Sequence, residues 1–174
     1  MPDFDSVSYR YITYFDASAA VKLIVPEPGS DNVRAHFNEH ARFYMTSLCF
    51  AEALGVLKRK MLRNQLTREA YFDACFELMV YLDRGRIHLD DTPGGGLEIF
   101  LKAEAIAKKH KLDLSDAFQI ISVKHGKEFI AAAAQESKTV IATADLELET
   151  AAEKEGLRVW NCEKSPRPPE CLTS

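Results

Sequence analysis

The chain has 174 residues, with 22 Lys and Arg against 26 Asp and Glu, 47% hydrophobic residues and four cysteines. A chain of this length hides roughly 70% of its unfolded surface, so one core suffices without metal or disulfide staples, and any metal is expected to be functional. No apolar run reaches the ~18 residues of a membrane span, and the first ten residues lack the basic start and apolar centre of a signal peptide, so the expectation is a cytoplasmic protein with no membrane partner.

Cys49, Cys75, Cys162 and Cys171 form no CxxC or CxxH spacing, and the first two fall in apolar helical patterns where cysteine acts as a small core residue. A net charge of −4 argues against coating nucleic acid through overall charge, while leaving room for local Lys/Arg clusters.

In chain order, residues 11–15 read as a strand, and Asp16 leads into a helix over 17–25 that Pro26 and Pro28 stop, because proline cannot donate the next helix hydrogen bond. Ser30 is the expected N-cap of a short helix carrying Val33 and Phe37, followed by a strand at 42–46. Ser47 is then expected to cap a helix over 48–64, with Phe50, Leu54, Leu57 and Met61 on one stripe and Lys58, Arg59, Lys60 and Arg63 near its end, where they suit the helix dipole. Thr67 starts a further helix with the stripe Tyr71, Cys75, Leu78 and Leu82, broken at Gly85 before a strand at 86–89.

The loop 90–96 carries three glycines but no Gly-Lys-Ser/Thr, so it is not a P-loop. A helix over 97–110 follows, then Ser115 as expected N-cap of a helix from Asp116, a strand at 139–143, a helix over 146–155 ended by Gly156, and a strand at 157–160. Residues 1–10 read as an N-terminal extension, 11–161 as one domain and 162–174 as a tail, Pro-rich and loose from Ser165.

Strands separated by helices cannot pair as hairpins, so the fold class is α/β: a central parallel sheet of about five strands with helices on both faces. Ligands in such sheets sit beyond the carboxyl ends of the strands, near the point where strand order reverses.

Four acids attract attention there. Asp16 follows the first strand, Glu52 lies in the first turns after the second, Asp116 starts a helix, and Asp145 lies two residues past the fourth strand. Each also has an ordinary role open to it: Asp16 and Asp145 as N-caps, Glu52 as a solvated residue or partner of Lys22 or Lys58, and Asp116 as part of a helix start with Asp113 beside it. If the four converge, each ionised pair at ~5 Å repels by about 3 kcal/mol at an effective dielectric near 20, which rivals the 5 to 15 kcal/mol (roughly) of a whole domain. Such a cluster must take up cations or protons. Oxygen-only donors, with no ligand spacing among His36, His40, His88, His110 and His125, point to Mg²⁺ or Mn²⁺ before Zn²⁺. Two such ions activate a water and steady the leaving oxygen in phosphodiester hydrolysis.

The stretch from Tyr14 through Asp16-Ala17-Ser18 to Leu23, with Pro26 to Ser30 after it, resembles the opening of PIN-domain nucleases, especially VapC-type toxins. Thr46-Ser47 with Ala51-Glu52-Ala53-Leu54 resembles the family's second acidic motif, Leu114-Ser115-Asp116-Ala117-Phe118 the third, and Ile141-Ala142-Thr143-Ala144-Asp145 the fourth. The resemblance spans about residues 11–161. It implies a PIN-like three-layer sandwich, Mg²⁺ or Mn²⁺ held by Asp16, Glu52, Asp116 and Asp145, Ser18 and Thr143 orienting carboxylates or waters, and cleavage of single-stranded RNA. It also implies a homodimer and a cognate VapB-type antitoxin partner with a segment in the acidic groove. Two departures stand out: 29 residues separate Asp116 from Asp145, with an insertion near 125–135, and the glycine loop is long. Lys58, Arg59, Lys60 and Arg63, or the run Lys108 to Lys111, are candidates for guiding an RNA backbone, although charge runs are usually solvated faces. Two other readings stay open: a non-catalytic PIN-like binding module, and an aspartyl-phosphate or receiver domain, which lacks the Asp-x-Asp pair after the first strand.

Overall fold

Each strand is followed by one or two helices before the next, as a parallel sheet requires. The computed structural model describes residues 11–40, 42–91, 96–133 and 138–169, with backbone alone at Tyr11, 127–133 and Lys138. The expected N-terminal extension, residues 92–95 of the glycine loop and residues 170–174 lie outside the described residues.

The elements run β1 (Tyr11–Phe15), α1 (Ala17–Ile24), α2 (Ser30–Glu39), β2 (Phe43–Met45), α3 (Ser47–Leu62), α4 (Arg68–Asp83), β3 (Ile87–Leu89), α5 (Leu97–His110), α6 (Leu114–Ala133), β4 (Lys138–Thr143), α7 (Leu146–Lys154) and β5 (Val159–Asn161). The sheet order is β3-β2-β1-β4-β5, every pairing is parallel, and Tyr14 lies between Tyr44 of β2 and Ile141 of β4. The chain winds one way from β1 to β3 and then returns to place β4 on the other side of β1. Strand order therefore reverses between β1 and β4.

The two sheet faces bury different residues, as a strand period of two requires. Phe15, Phe43, Met45, Val140, Ala142 and Trp160 pack with α1, α3 and α4, with the Phe15 and Phe43 rings stacked 4.9 Å apart. Tyr14 and Ile141 face the other way, onto Ile120 and Val123 of α6 and Leu148, Ala151 and Ala152 of α7. A smaller cluster of Ala103, Ala107, Ala117 and Ile121 joins α5 to α6. The result is the expected three-layer α/β sandwich.

Local details depart from expectation by a residue or two. The cap of α3 is Thr46, whose hydroxyl accepts from Cys49 N, and Ser47 is already helical. Gly29 holds the cap position of α2, while the Ser30 hydroxyl accepts from Glu27 N and donates to Val25 O. Helix α6 starts at Leu114, so Ser115 lies inside its first turn. The buried line of α3 is Cys49, Ala53 and Leu57, with Phe50 and Leu54 on its flank. The cause is close approach to α1, whose Ala17, Ala19 and Ala20 are also buried, so the smallest residues sit deepest.

Packing also continues past residue 161. Cys162 is buried, its N–H donates to Thr143 O and its carbonyl accepts from Asn32 Nδ2, while Glu163 pairs with Lys22 at 2.6 Å. The Trp160 indole donates to Ser165 O. Gly29 lies against this segment at φ 84°, where a Cβ would sit 2.8 Å from Cys162 O, so no other residue fits that turn.

Candidate active site

Asp16 directly follows β1 and Thr143 ends β4, so both stand at the carboxyl edge where strand order reverses, the place where such sheets bind ligands. Asp16 is only 5% exposed. Its Oδ1 accepts from the N–H groups of Ser18 and Ala19, which makes it the N-cap of α1. Its Oδ2 accepts from the hydroxyls of Ser18, at 3.1 Å, and Thr143. Those hydroxyls in turn accept from the backbone beyond β4: Ser18 Oγ from Ala144 N at 2.8 Å and Thr143 Oγ1 from Asp145 N at 2.9 Å. Ser18 and Thr143 thus tie one buried carboxylate to the backbone just after β4. Burial pushes the Asp16 carboxyl above its ordinary value, and the four donors act against that rise.

Asp116 is half-buried in the first turn of α6. Burial, and after it the charges of Asp16, Asp145, Glu52 and Asp113 in that order, push its carboxyl up to about 7. The Cys49 thiol, on the inner face of α3, gives a second gauge of the same field. Burial first, and then Asp16, Glu52 and Asp116, push it up to about 12, against the lowering effect of Thr46. Four acids from four different elements therefore share one electrostatic neighbourhood at the sheet edge.

Asp145 is exposed at the cap of α7, where its Oδ1 accepts from Glu147 N and Leu148 N. Glu52 is exposed, with neither expected lysine as partner: Lys22 binds Glu27 and Glu163, and Lys58 lies over the Tyr71 ring. The long segment after Asp116 is taken up by α6, 20 residues of helix, and leaves Asp145 near enough to act on Asp116.

The donor set is hard oxygen throughout, and the mutual repulsion recorded at Asp116 is what a divalent cation relieves, so the chemistry of the residues fits Mg²⁺ or Mn²⁺. The side chains stop short of a closed ligand set: among the described residues, no group of three or more His, Cys, Asp or Glu is gathered closely enough to hold a metal. Asp16 and Asp145 instead spend carboxylate oxygens on their helix caps.

The fold resembles that of a solved structure. The chain is similar to the crystal structure of PAE2754 from Pyrobaculum aerophilum, with a TM-score of 0.51 and 20% identity over 86% of this chain and 91% of that chain. A likeness at that identity shows the fold. No protein-family model matches the chain, and no curated protein matches it.

The basic residues of α3 sit away from the acids. The helix leaves the sheet's carboxyl edge, and at 1.5 Å per residue Lys58 and Arg63 lie roughly 9 and 16 Å beyond Glu52 along its axis. Lys60 is committed to Glu27. Sequence reasoning missed Asp91, which accepts from Ser47 N at 2.8 Å and from the Ser47 hydroxyl, tying the end of β3 to the start of α3. It also missed Glu155, which receives Lys109, His110 and Lys124. An acid next to a helix C-terminus, as Glu155 is, runs against the dipole and was the available signal.

Proposed function

We propose that this protein is a divalent-metal-dependent endoribonuclease of the PIN type, hydrolysing RNA phosphodiesters at the edge between β1 and β4. The observation that carries the proposal is Asp116, raised to about 7 by burial and by acids from β1, α3 and α7 at a strand-order reversal. Asp16, Glu52, Asp116 and Asp145 would hold Mg²⁺ or Mn²⁺, which supplies Lewis acidity toward water and phosphate. Ser18 and Thr143 fix the Asp16 carboxylate, so it meets the cation without reorganising.

The test is cleavage of a labelled single-stranded RNA by purified protein in Mn²⁺. Wild type should cut, whereas Asp16→Asn and Asp116→Asn should lose at least about a hundredfold. Equal cutting by wild type and both variants would overturn the proposal. The toxin role, with a homodimer and a cognate antitoxin, belongs to the same reading. Its support is the set of large apolar side chains exposed on α4 and α5, including Phe72, Phe76, Met79 and Phe100.

A non-catalytic binding module is the second reading, favoured by the commitment of Asp16 and Asp145 to helix caps. Absence of Mn²⁺ binding by calorimetry with intact RNA association would select it. An aspartyl-phosphate role is disfavoured, because the candidate acceptor Asp16 is buried under four donors. No described helix is long and apolar enough to cross a membrane.

A further inference from the structure

A cleft of about 530 Å³ opens between the end of α5 and the outer face of α7. Lys109 and Lys111 line one wall, and Leu146, Glu147, Thr150 and Lys154 line the other. Its position is set by the chain: Leu146 directly follows Asp145, and Lys111 lies five residues before Asp116. Leu146, next to Asp145 in the chain, therefore marks the end of the cleft nearer the acids. Lys154 stands eight residues beyond Leu146, roughly 12 Å along the helix axis.

Charge in the cleft is opposite to that of the acidic centre. Lys109 is bound to Glu155 at 2.8 Å, but Lys111 and Lys154 have no ion-pair partner among the described residues, and both are exposed. Beneath them, Glu155 receives Lys109 from α5, His110 from α5 and Lys124 from α6, all at 2.8 to 3.0 Å. This one carboxylate, just past the end of α7, pins both walls, so the two free ammonium groups keep their separation without help from a ligand. With Lys109, Lys111 and Lys154 against the single lining carboxylate of Glu147, the cleft has an excess of positive charge on a chain of net charge −4 and is suited to a polyanion.

We propose that the α5/α7 cleft binds the phosphate backbone of a single-stranded RNA, with Lys111 and Lys154 contacting phosphates along the stretch of strand that leads away from the acidic edge. The inference rests on the ribonuclease reading and names where its substrate strand lies. The contacts are to phosphate, so they position the strand and carry no base preference.

The experiment measures binding and cutting separately. Fluorescence anisotropy of a labelled single-stranded RNA is titrated with full-length protein in EDTA over a range of salt, and cutting is followed in Mn²⁺. The double variant Lys111→Gln/Lys154→Gln should bind about tenfold more weakly for every RNA sequence, and its log Kd against log salt slope should fall by about 1.4, the value for two lost single-strand phosphate contacts. Arg42→Gln/Arg84→Gln, two exposed arginines before β2 and after α4, should bind as wild type, and circular dichroism controls for folding. An unchanged slope in the lysine variant, with wild-type cutting intact, would overturn the cleft and leave the ribonuclease reading standing. Loss of binding without any wild-type cutting would support the cleft and overturn the catalytic reading. Binding of poly-glutamate with no binding of RNA would overturn the choice of ligand.

Discussion

Replacing Asp116 by Asn should stabilise the protein above neutrality. Asp116 titrates near 7 when folded, against an ordinary value of 3.8. Between those values the folded chain holds a proton that the unfolded chain has released, so stability falls as pH rises across that window and levels off above about 7. Three pH units at 1.36 kcal/mol each set an upper limit of about 4 kcal/mol. Asp116 is only half-buried, and solvent screening reduces this to about 1 to 2 kcal/mol. Asn keeps the shape and cannot ionise, so the variant should match wild type near pH 4 and exceed it by about 1 to 2 kcal/mol near pH 8. Urea unfolding at both values measures the difference directly. Millimolar Mg²⁺ should stabilise wild type near pH 8 and not the variant, because the cation favours the ionised carboxylate. A variant less stable than wild type by the same amount at both pH values would refute the idea that neighbouring acids burden this position.

Glu155→Gln should cost about 2 kcal/mol at neutral pH and nothing near pH 2. Hydrogen bonds from Lys109, His110 and Lys124 hold the Glu155 carboxyl down at about 2, so its contribution is present above the ordinary 4.5 and is lost as pH falls through about 2; acid titration of the far-UV signal reads it. Gly126→Ala runs against helix propensity: alanine should gain up to about 1 kcal/mol in mid-helix, yet its Cβ would strike the Tyr14 hydroxyl, so a net loss of about 1 to 2 kcal/mol is expected in the urea midpoint. Thr143→Val removes a donor to a buried carboxylate and should cost about 1 to 3 kcal/mol and raise the Asp16 pKa further, measurable by carboxyl NMR, while Thr143→Ser restores both.

The fold was legible because strand and helix patterns alternate cleanly along the chain. Proline and glycine punctuation marked the ends of α1, α4 and α7, and the parallel sheet followed from the helices between successive strands. The cap of α3 was misplaced because Thr46 and Ser47 are chemically equivalent caps, and only the strand's exit angle decides between them. Its buried line was shifted because the largest residues were assumed to point inward, whereas the alanines of α1 admit only small partners. At the site, Asp16, Glu52 and Asp145 could be named from their positions after strands, and Asp116 from its helix start. The engagement of Asp16 and Asp145 with local N–H groups could not be separated from metal binding, since both favour an acid in the same place. Glu155 escaped notice because its partners come from α5 and α6, 31 to 46 residues earlier, a relation no local pattern carries.

The bond between Thr143 and Asp16 joins residues 127 positions apart. At roughly 5 to 20 residues per second, the aspartate waits about 6 to 25 s during synthesis for the hydroxyl that completes its setting, and β1 waits as long for its β4 neighbour. A growing chain therefore carries a half-set carboxylate at the end of a strand unpaired on one side until β4 has been made.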